Sequence, residues 1–187
     1  MEGILSGIPL DLVIPAQLGM DLTVIENGKT YAENAAHKAL AFSEASGLVT
    51  LADDSGLEVD ILNGKPGLYS HRFAPLPNAT DADRRVYLLQ KLLRHPQPWK
   101  AHFHCTIAIA TLDGKIQYAD GDCPGEIIPD ERGSNGFGYD PIFYIEEFKL
   151  TMAELETPIK NQISHRARAI QAALPILMGL INSGKQP

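Results

Sequence analysis

Residues 51–60 read Leu51-Ala52-Asp53-Asp54-Ser55-Gly56-Leu57-Glu58-Val59-Asp60. The apolar run Leu48-Val49-Thr50-Leu51-Ala52 ahead of the acids reads as a short buried strand. Leu57 to Leu62 alternates as a second strand that ends at Asn63-Gly64. Asp53 and Asp54 therefore stand at the carboxyl end of a buried strand, where open α/β sheets bind ligands. Alternation sends the two side chains to opposite faces, so one can line a site while the other supports it. A carboxylate there can hold Mg²⁺ or take a proton from water. The plainer reading of Asp-Asp-Ser-Gly is a polar turn.

The rest of the chain reads as alternating helices and strands. Thr30-Tyr31-Ala32-Glu33 has the form of a capping box, which starts a helix that runs to Ser46 and stops at Gly47. Thr80 caps a second helix to about Arg94, with Val86, Leu89 and Leu93 on one stripe and Leu88 and Leu92 widening it. Phe103 to Leu112, the Asp113-Gly114 turn and Lys115 to Cys123 read as a hairpin with a type I′ turn, with Cys105 nearly opposite Cys123. Pro141 to Ile145 reads as a strand, and Thr151-Met152-Ala153-Glu154 as another capping box. A final helix is expected from Ser164, with Pro175 kinking or breaking it. The pattern predicts one α/β domain over residues 1–187, with a mixed sheet built around the hairpin and flanked by helices.

Composition narrows the function. The chain has 187 residues, 44% hydrophobic and 21% charged, and a net charge of −7. That balance suits a soluble globular protein and lacks the basic face of a general nucleic-acid binder. A phosphate ligand on an acidic chain calls for a divalent ion. The two cysteines, with no CxxC, fit a reducing cytoplasm and two buried thiols. The N-terminal residues lack the basic and apolar regions of a signal peptide, and no apolar run approaches the roughly 18 residues that span a bilayer. No membrane partner is expected.

Three further groups carry chemistry. Glu26, just before Asn27-Gly28, supplies a third acid near the Asp pair, enough for an oxygen-ligand Mg²⁺ site. Glu33 is explained by capping. In Gly133-Ser134-Asn135-Gly136-Phe137-Gly138-Tyr139-Asp140-Pro141, the glycines bracket aromatics on which a nucleobase can stack; a tight loop anchored by its Phe is the equal alternative. In Lys160-Asn161-Gln162-Ile163-Ser164-His165-Arg166, a helix start presents N–H groups and an Arg fork to phosphate or a base carbonyl, and an ordinary capped helix is the alternative. Lys38, Lys65 and Arg72 are other candidate cations. His102 and His104 share a strand face but lack a third ligand, so they read as structural.

LADDSGLEVDILNGKPGLYSHRFA, SNGFGYDPIF and KNQISHRARA, in this order and preceded by TYAENAAHKALAF, closely resemble the inosine triphosphate pyrophosphatase family. The resemblance runs from about Leu12 to Ala173. It implies Mg²⁺-dependent hydrolysis of ITP, dITP and XTP to the monophosphate and pyrophosphate, which cleanses the nucleotide pool. It also implies a homodimer and a two-lobed fold with the active site in the cleft between lobes. By motif position, Asp54 matches the catalytic base and metal-linked aspartate, Asp53 its acidic neighbour and Glu26 the other metal carboxylate. Lys38 matches a phosphate-contacting lysine and Ser55 a substrate contact. Phe137, Gly138, Tyr139 and Asp140 match the base-and-sugar loop, and Lys160, His165 and Arg166 match residues near the purine. Glu33 and Arg72 are supporting candidates.

Two departures stand out. The family opens with a strand and a Thr/Ser-x-x-Asn-x-x-Lys phosphate loop, whereas MEGILSGIPLDLV resembles the family only from just after that loop. The strand and loop are therefore expected to be missing. Thr157-Pro158-Ile159 stands where the family usually carries acids. A catalytically impaired purine-nucleotide-binding homologue is thus the main alternative, and a carboxylate-pair hydrolase such as a glycosidase a weaker one.

Overall fold

In the computed structural model, which describes residues 2–5 and 7–183, the Asp pair lies inside a strand and not at its end. That strand, β1, runs unbroken from Thr50 to Val59. Asp60–Leu62, expected to continue a second strand, forms a short 3-10 turn, and Asn63 follows it in the left-handed region at φ 54°. Two separate strands are thus corrected to one.

Before β1 come α1 (Glu2–Leu5) and α2 (Tyr31–Ser46). Thr30 caps α2 by accepting the Glu33 N–H, and Gly47 ends it at φ 68°. After β1 come β2 (Lys65–Pro66), α3 (Asp81–Leu92), β3 (Trp99–Ala110), β4 (Ile116–Ile127), β5 (Phe143–Ile145) and β6 (Leu150–Thr151). Two helices follow, α4 (Thr157–Ile163) and α5 (His165–Ser183). The strands form one six-stranded sheet in the order β2-β1-β3-β4-β5-β6. Antiparallel pairing joins β1 to β2, β4 to β5 and β5 to β6. The α/β class and the helix-flanked sheet agree with the sequence reading.

The chain divides into two compact units. The first comprises Met1–Asp54, Cys105–Gly121 and Arg166–Pro187, and the second Ser55–His104 and Asp122–His165. In the first unit β3 is covered on both faces. Cys105, Ile107 and Ile109 pack against Ala169, Ile170, Ala173 and Leu177 of α5, while Ala108 and Ala110 meet Ala35, Ala36 and Ala39 of α2. Double coverage explains why Cys105-Thr106-Ile107-Ala108-Ile109-Ala110 is nearly continuous in apolar residues. In the second unit Leu57 and Val59 of β1, Trp99, Ala101 and Phe103 of β3 and Cys123 and Ile127 of β4 enclose Leu88 and Leu92 of α3. Burying each such leucine stabilises the fold by about 1.5–3 kcal/mol. The opposite strand face is polar. There His102 lies 3.4 Å from Glu58, His104 2.7 Å from Asp122 and Lys100 3.0 Å from Glu126.

The hairpin register differs from expectation. Thr111 N–H bonds Lys115 O, and the side-chain pairs Thr106–Asp120, His104–Asp122 and Lys100–Glu126 hold the same register. Phe103, not Cys105, therefore faces Cys123. The turn is not type I′, because only Gly114, at φ 78°, enters the left-handed region while Asp113 does not. On α3 the buried stripe is Leu88 and Leu92, while Val86 and Leu93 are exposed. Thr151–Glu154 is not a helix start. Glu154 does accept the Thr151 N–H, but the helix waits until Thr157, with Pro158 in its first turn. α5 continues through Pro175. Among the described residues no helix is long and apolar enough to cross a membrane.

Candidate active site

In the first unit the site grows from α2. Asn34 and Lys38 are one helical turn apart on the same face, and both reach Asp54. Asn34 Nδ2 donates to Asp54 Oδ2 at 3.1 Å, and Lys38 Nζ donates to Asp54 Oδ1 at 3.1 Å and to Glu26 Oε1 at 3.0 Å. One ammonium thus bridges two carboxylates. Asn34 is buried, and its Oδ1 accepts the Gly28 N–H at 2.8 Å, which holds the segment after Glu26 against the start of α2. A Cβ on Gly28 would come within 2.7 Å of that oxygen, so only glycine allows this approach.

Burial raises the Asp54 pKa, only partly offset by Lys38 and the Asn34 hydrogen bond, and the nearby Glu26 charge raises it further. For Lys38, burial works against the charge, but Asp54 and Glu26 outweigh it and the pKa is raised. A carboxylate with raised proton affinity beside a fixed cation is suited to accept a proton from water.

Asp53 points to the other face of β1, as strand alternation requires. Its Oδ2 accepts from Arg166 Nε of α5 at 2.9 Å, and the Cys105 thiol lies 3.9 Å from the same oxygen. Burial and the Asp53 charge push the Cys105 thiol well above its ordinary range. Arg166 thus sits in the first unit with Asp53, whereas Lys160 and His165 belong to the second. Glu33 lies beside the cluster as a helix-start residue, its carboxylate accepting the Lys29 N–H.

Ser55, the next residue of β1, opens the second unit. There the 133–140 loop turns at Gly136 (φ 87°) and Gly138 (φ 59°). A Cβ on Gly136 would collide with the Asp140 carboxylate. Asp140 is buried, and its Oδ2 accepts from Lys160 Nζ at 3.0 Å and from Phe137 N at 3.3 Å. Tyr139 is buried and donates through its hydroxyl to Ser70 O at 2.8 Å, while Phe137 is 63% exposed. His165 is buried and stacks on Phe103, ring centroids 4.8 Å apart. The Arg72 guanidinium lies 5.6 Å over the Tyr69 ring.

The structure therefore joins Glu26, Lys38 and Asp54 in one cluster, Asp53 and Arg166 in a second, and Phe137, Asp140 and Lys160 in a third. Sequence reasoning missed Asn34. An Asn inside an Ala-rich helix, one turn before Lys38, was the available signal for it.

The sequence profile of the Ham1 family matches residues 1–176. This chain belongs to the Ham1 family. A dITP/XTP pyrophosphatase of Desulforamulus reducens is 50% identical over 155 residues, covering 82% of this chain and 77% of that protein. One from Nostoc sp. is 44% identical over 167 residues, covering 89% and 83%. Among solved structures, a HAM1 protein from Coxiella burnetii superposes with a TM-score of 0.86 at 37% identity, covering 95% of this chain and 91% of that one. The Ham1 protein of Staphylococcus aureus gives 0.80 at 42%, covering 88% and 84%. The Ham1 fold and the clusters built on it thus come with relatives named for nucleotide pyrophosphate chemistry.

Proposed function

We propose that this chain is a nucleoside triphosphate pyrophosphatase of the purine nucleotide pool, acting on dITP, ITP and XTP. The observation that carries this reading is the Asp54 carboxylate, held by Lys38 and Asn34 with Glu26 as a second acid on the same ammonium. In the reaction, water attacks the α-phosphorus and the bond from that phosphorus to the α–β bridging oxygen breaks. Asp54 takes the proton of the attacking water, and nucleoside monophosphate and pyrophosphate leave. Lys38 offers its ammonium to phosphate oxygens as well as to the acids.

Among the described residues no three His, Cys, Asp or Glu side chains gather as a metal cluster. Two carboxylates with hard oxygen donors nevertheless suit Mg²⁺, which keeps waters and takes phosphate oxygens as further ligands. Glu26 and Asp54 would hold it. When bound, Mg²⁺ neutralises the polyphosphate and polarises its phosphorus. The exposed Phe137 ring offers a stacking face, and donors such as Lys160 suit a 6-oxo purine while leaving a 6-amino group mismatched. A homodimer in the cytoplasm completes the reading, on the family resemblance.

Pyrophosphate release from ITP, XTP, ATP and GTP with Mg²⁺ tests it. ITP and XTP turn over well ahead of ATP, and Asp54→Asn loses about a hundred- to ten-thousand-fold in kcat. Equal rates on ATP and ITP, or a fully active Asp54→Asn, overturn the reading. Calorimetric ITP binding without turnover leaves a nucleotide-binding protein in its place.

A further inference from the structure

The 133–140 loop has no helix or strand ladder at its tip, and Gly133, Gly136 and Gly138 all take left-handed φ there. Asp140 holds the Phe137 N–H from within the loop, and α3 reaches the next residue. Asp81 Oδ2 accepts the Gly138 N–H at 2.7 Å, and Arg85 Nη1 donates to Gly138 O at 2.9 Å. Asp81 and Arg85 are one helical turn apart, so one helix face grips both polar groups of a single loop residue. These groups belong to the peptide between Phe137 and Gly138 and the peptide between Gly138 and Tyr139.

The grip is itself braced. Arg85 forks onto Glu131, Nε to Oε1 and Nη2 to Oε2, both at 2.9 Å. Such a bidentate pair fixes the guanidinium plane in a way that a lysine cannot. Arg84 Nη2 binds Asp81 Oδ1, and its Nη1 donates to Ala79 O at 2.6 Å and His71 O at 3.1 Å. The buried Arg84 thereby fixes the far oxygen of the Asp81 carboxylate.

We propose that Asp81 and Arg85 are positioning residues for base recognition, which aim the exposed Phe137 ring by clamping both backbone polar groups of Gly138. The proposal rests on the reading that Phe137 stacks on the purine. Neither residue needs to touch the nucleotide. Their effect passes through the loop and falls on the base, not on the phosphates.

The test uses Arg85→Met and Arg85→Lys, each alone and in a Phe137→Ala background, on the full chain. With ITP, Arg85→Met raises KM about tenfold, a change of about 1.4 kcal/mol, and leaves kcat within about twofold. Arg85→Lys does not restore KM, because an ammonium cannot serve Glu131 and Gly138 O in one plane. The inhibition constant of inorganic triphosphate, a ligand without a base, stays unchanged. In the Phe137→Ala background Arg85→Met adds nothing, the signature of two residues acting through one element. An unchanged KM, an equal further loss without Phe137, or a parallel weakening of triphosphate overturns the proposal.

If Arg85→Met melts below the assay temperature, Glu131→Gln takes its place, with a smaller rise in KM for ITP and the same silence with triphosphate. Amide hydrogen exchange across residues 134–140, read without substrate, rises in either variant. Unchanged exchange also overturns the clamp. The wild-type rate on ITP decides the functional reading separately, so the two can fail independently.

Discussion

The two units position chemistry in opposite ways. In the first, Asn34, Lys38, Asp54 and Arg166 all stand on regular elements, and their side chains bond one another or Asp53 and Glu26 of the proposed site. Lys38 holds Asp54 and Glu26 in place, and separately Arg166 holds Asp53. In the second, the loop proposed to meet the base is irregular, and Asp81 and Arg85, the latter braced by Glu131, hold Gly138 at its tip. A charge cluster on rigid elements fails when one of its members is lost. A braced loop degrades by losing aim, which leaves the chemistry intact and makes binding worse.

Asn34→Ala strikes the first unit hardest. It strips Asp54 of a hydrogen bond and leaves the Gly28 N–H without its acceptor. A hydrogen bond to a charged group is worth about 1.5–3 kcal/mol, so kcat/KM for ITP falls roughly ten- to hundredfold. Chemical denaturation shows a stability loss of about 1–3 kcal/mol from the unpaired backbone group. An Asn34→Ala enzyme with wild-type kcat/KM would break the idea of mutually ordered charges.

Phe137→Ala is milder and of a different kind. Loss of a stacking face costs about 1–3 kcal/mol per base, so KM for ITP rises about tenfold while the rate at saturation holds. A fall in kcat with KM unchanged would instead place Phe137 with the catalytic group.

Asp81→Asn is the smallest effect and separates the clamp from the chemistry by pH. Burial pushes the Asp81 carboxyl up, but the Gly138 N–H and Arg84 outweigh it, so its pKa lies below the ordinary 3.8. A depressed folded-state pKa stabilises the fold above the unfolded value and loses that contribution as pH falls through the folded one. The wild type is therefore slightly more stable than Asp81→Asn at neutral pH, by under about 1 kcal/mol for so exposed a side chain. The gap closes below about pH 4, and melting curves at pH 7 and pH 3 measure it. A gap that is unchanged at pH 3 would show that the Asp81 charge is irrelevant to the loop.

Much of the fold was readable because its signals are local. Thr30, Gly47 and Thr80 mark helix ends through contacts within a few residues, and the structure keeps all three. The misreadings come from partners far along the chain. Asp53 and Asp54 read as a strand end because the apolar run over residues 48–52 stops at them and a second alternating run starts at Leu57. Arg166, 113 residues away, and Lys38 and Asn34 on α2 supply what the local sequence lacks, so the strand runs on. Thr151-Met152-Ala153-Glu154 shows the reverse error. The side-chain bond that marks a helix start forms, but Met152 and Ala153 are buried beside β5 and β6, where packing overrides the local preference. At the site, acids and aromatics announced themselves by type. Asn34 and the Arg85–Glu131 pair did not, because their role is set by what they hold.

The buried cysteines have a practical consequence. Cys105 and Cys123 are 0% and 2% exposed, and the Cys105 thiolate is disfavoured further by Asp53 beside it. Thiol-directed dyes react through an accessible thiolate, so the folded protein is its own silent background for labelling. A single cysteine placed on the outer edge of the 133–140 loop would carry a fluorophore alone, and the loop's tumbling could be followed by anisotropy without first removing a native thiol.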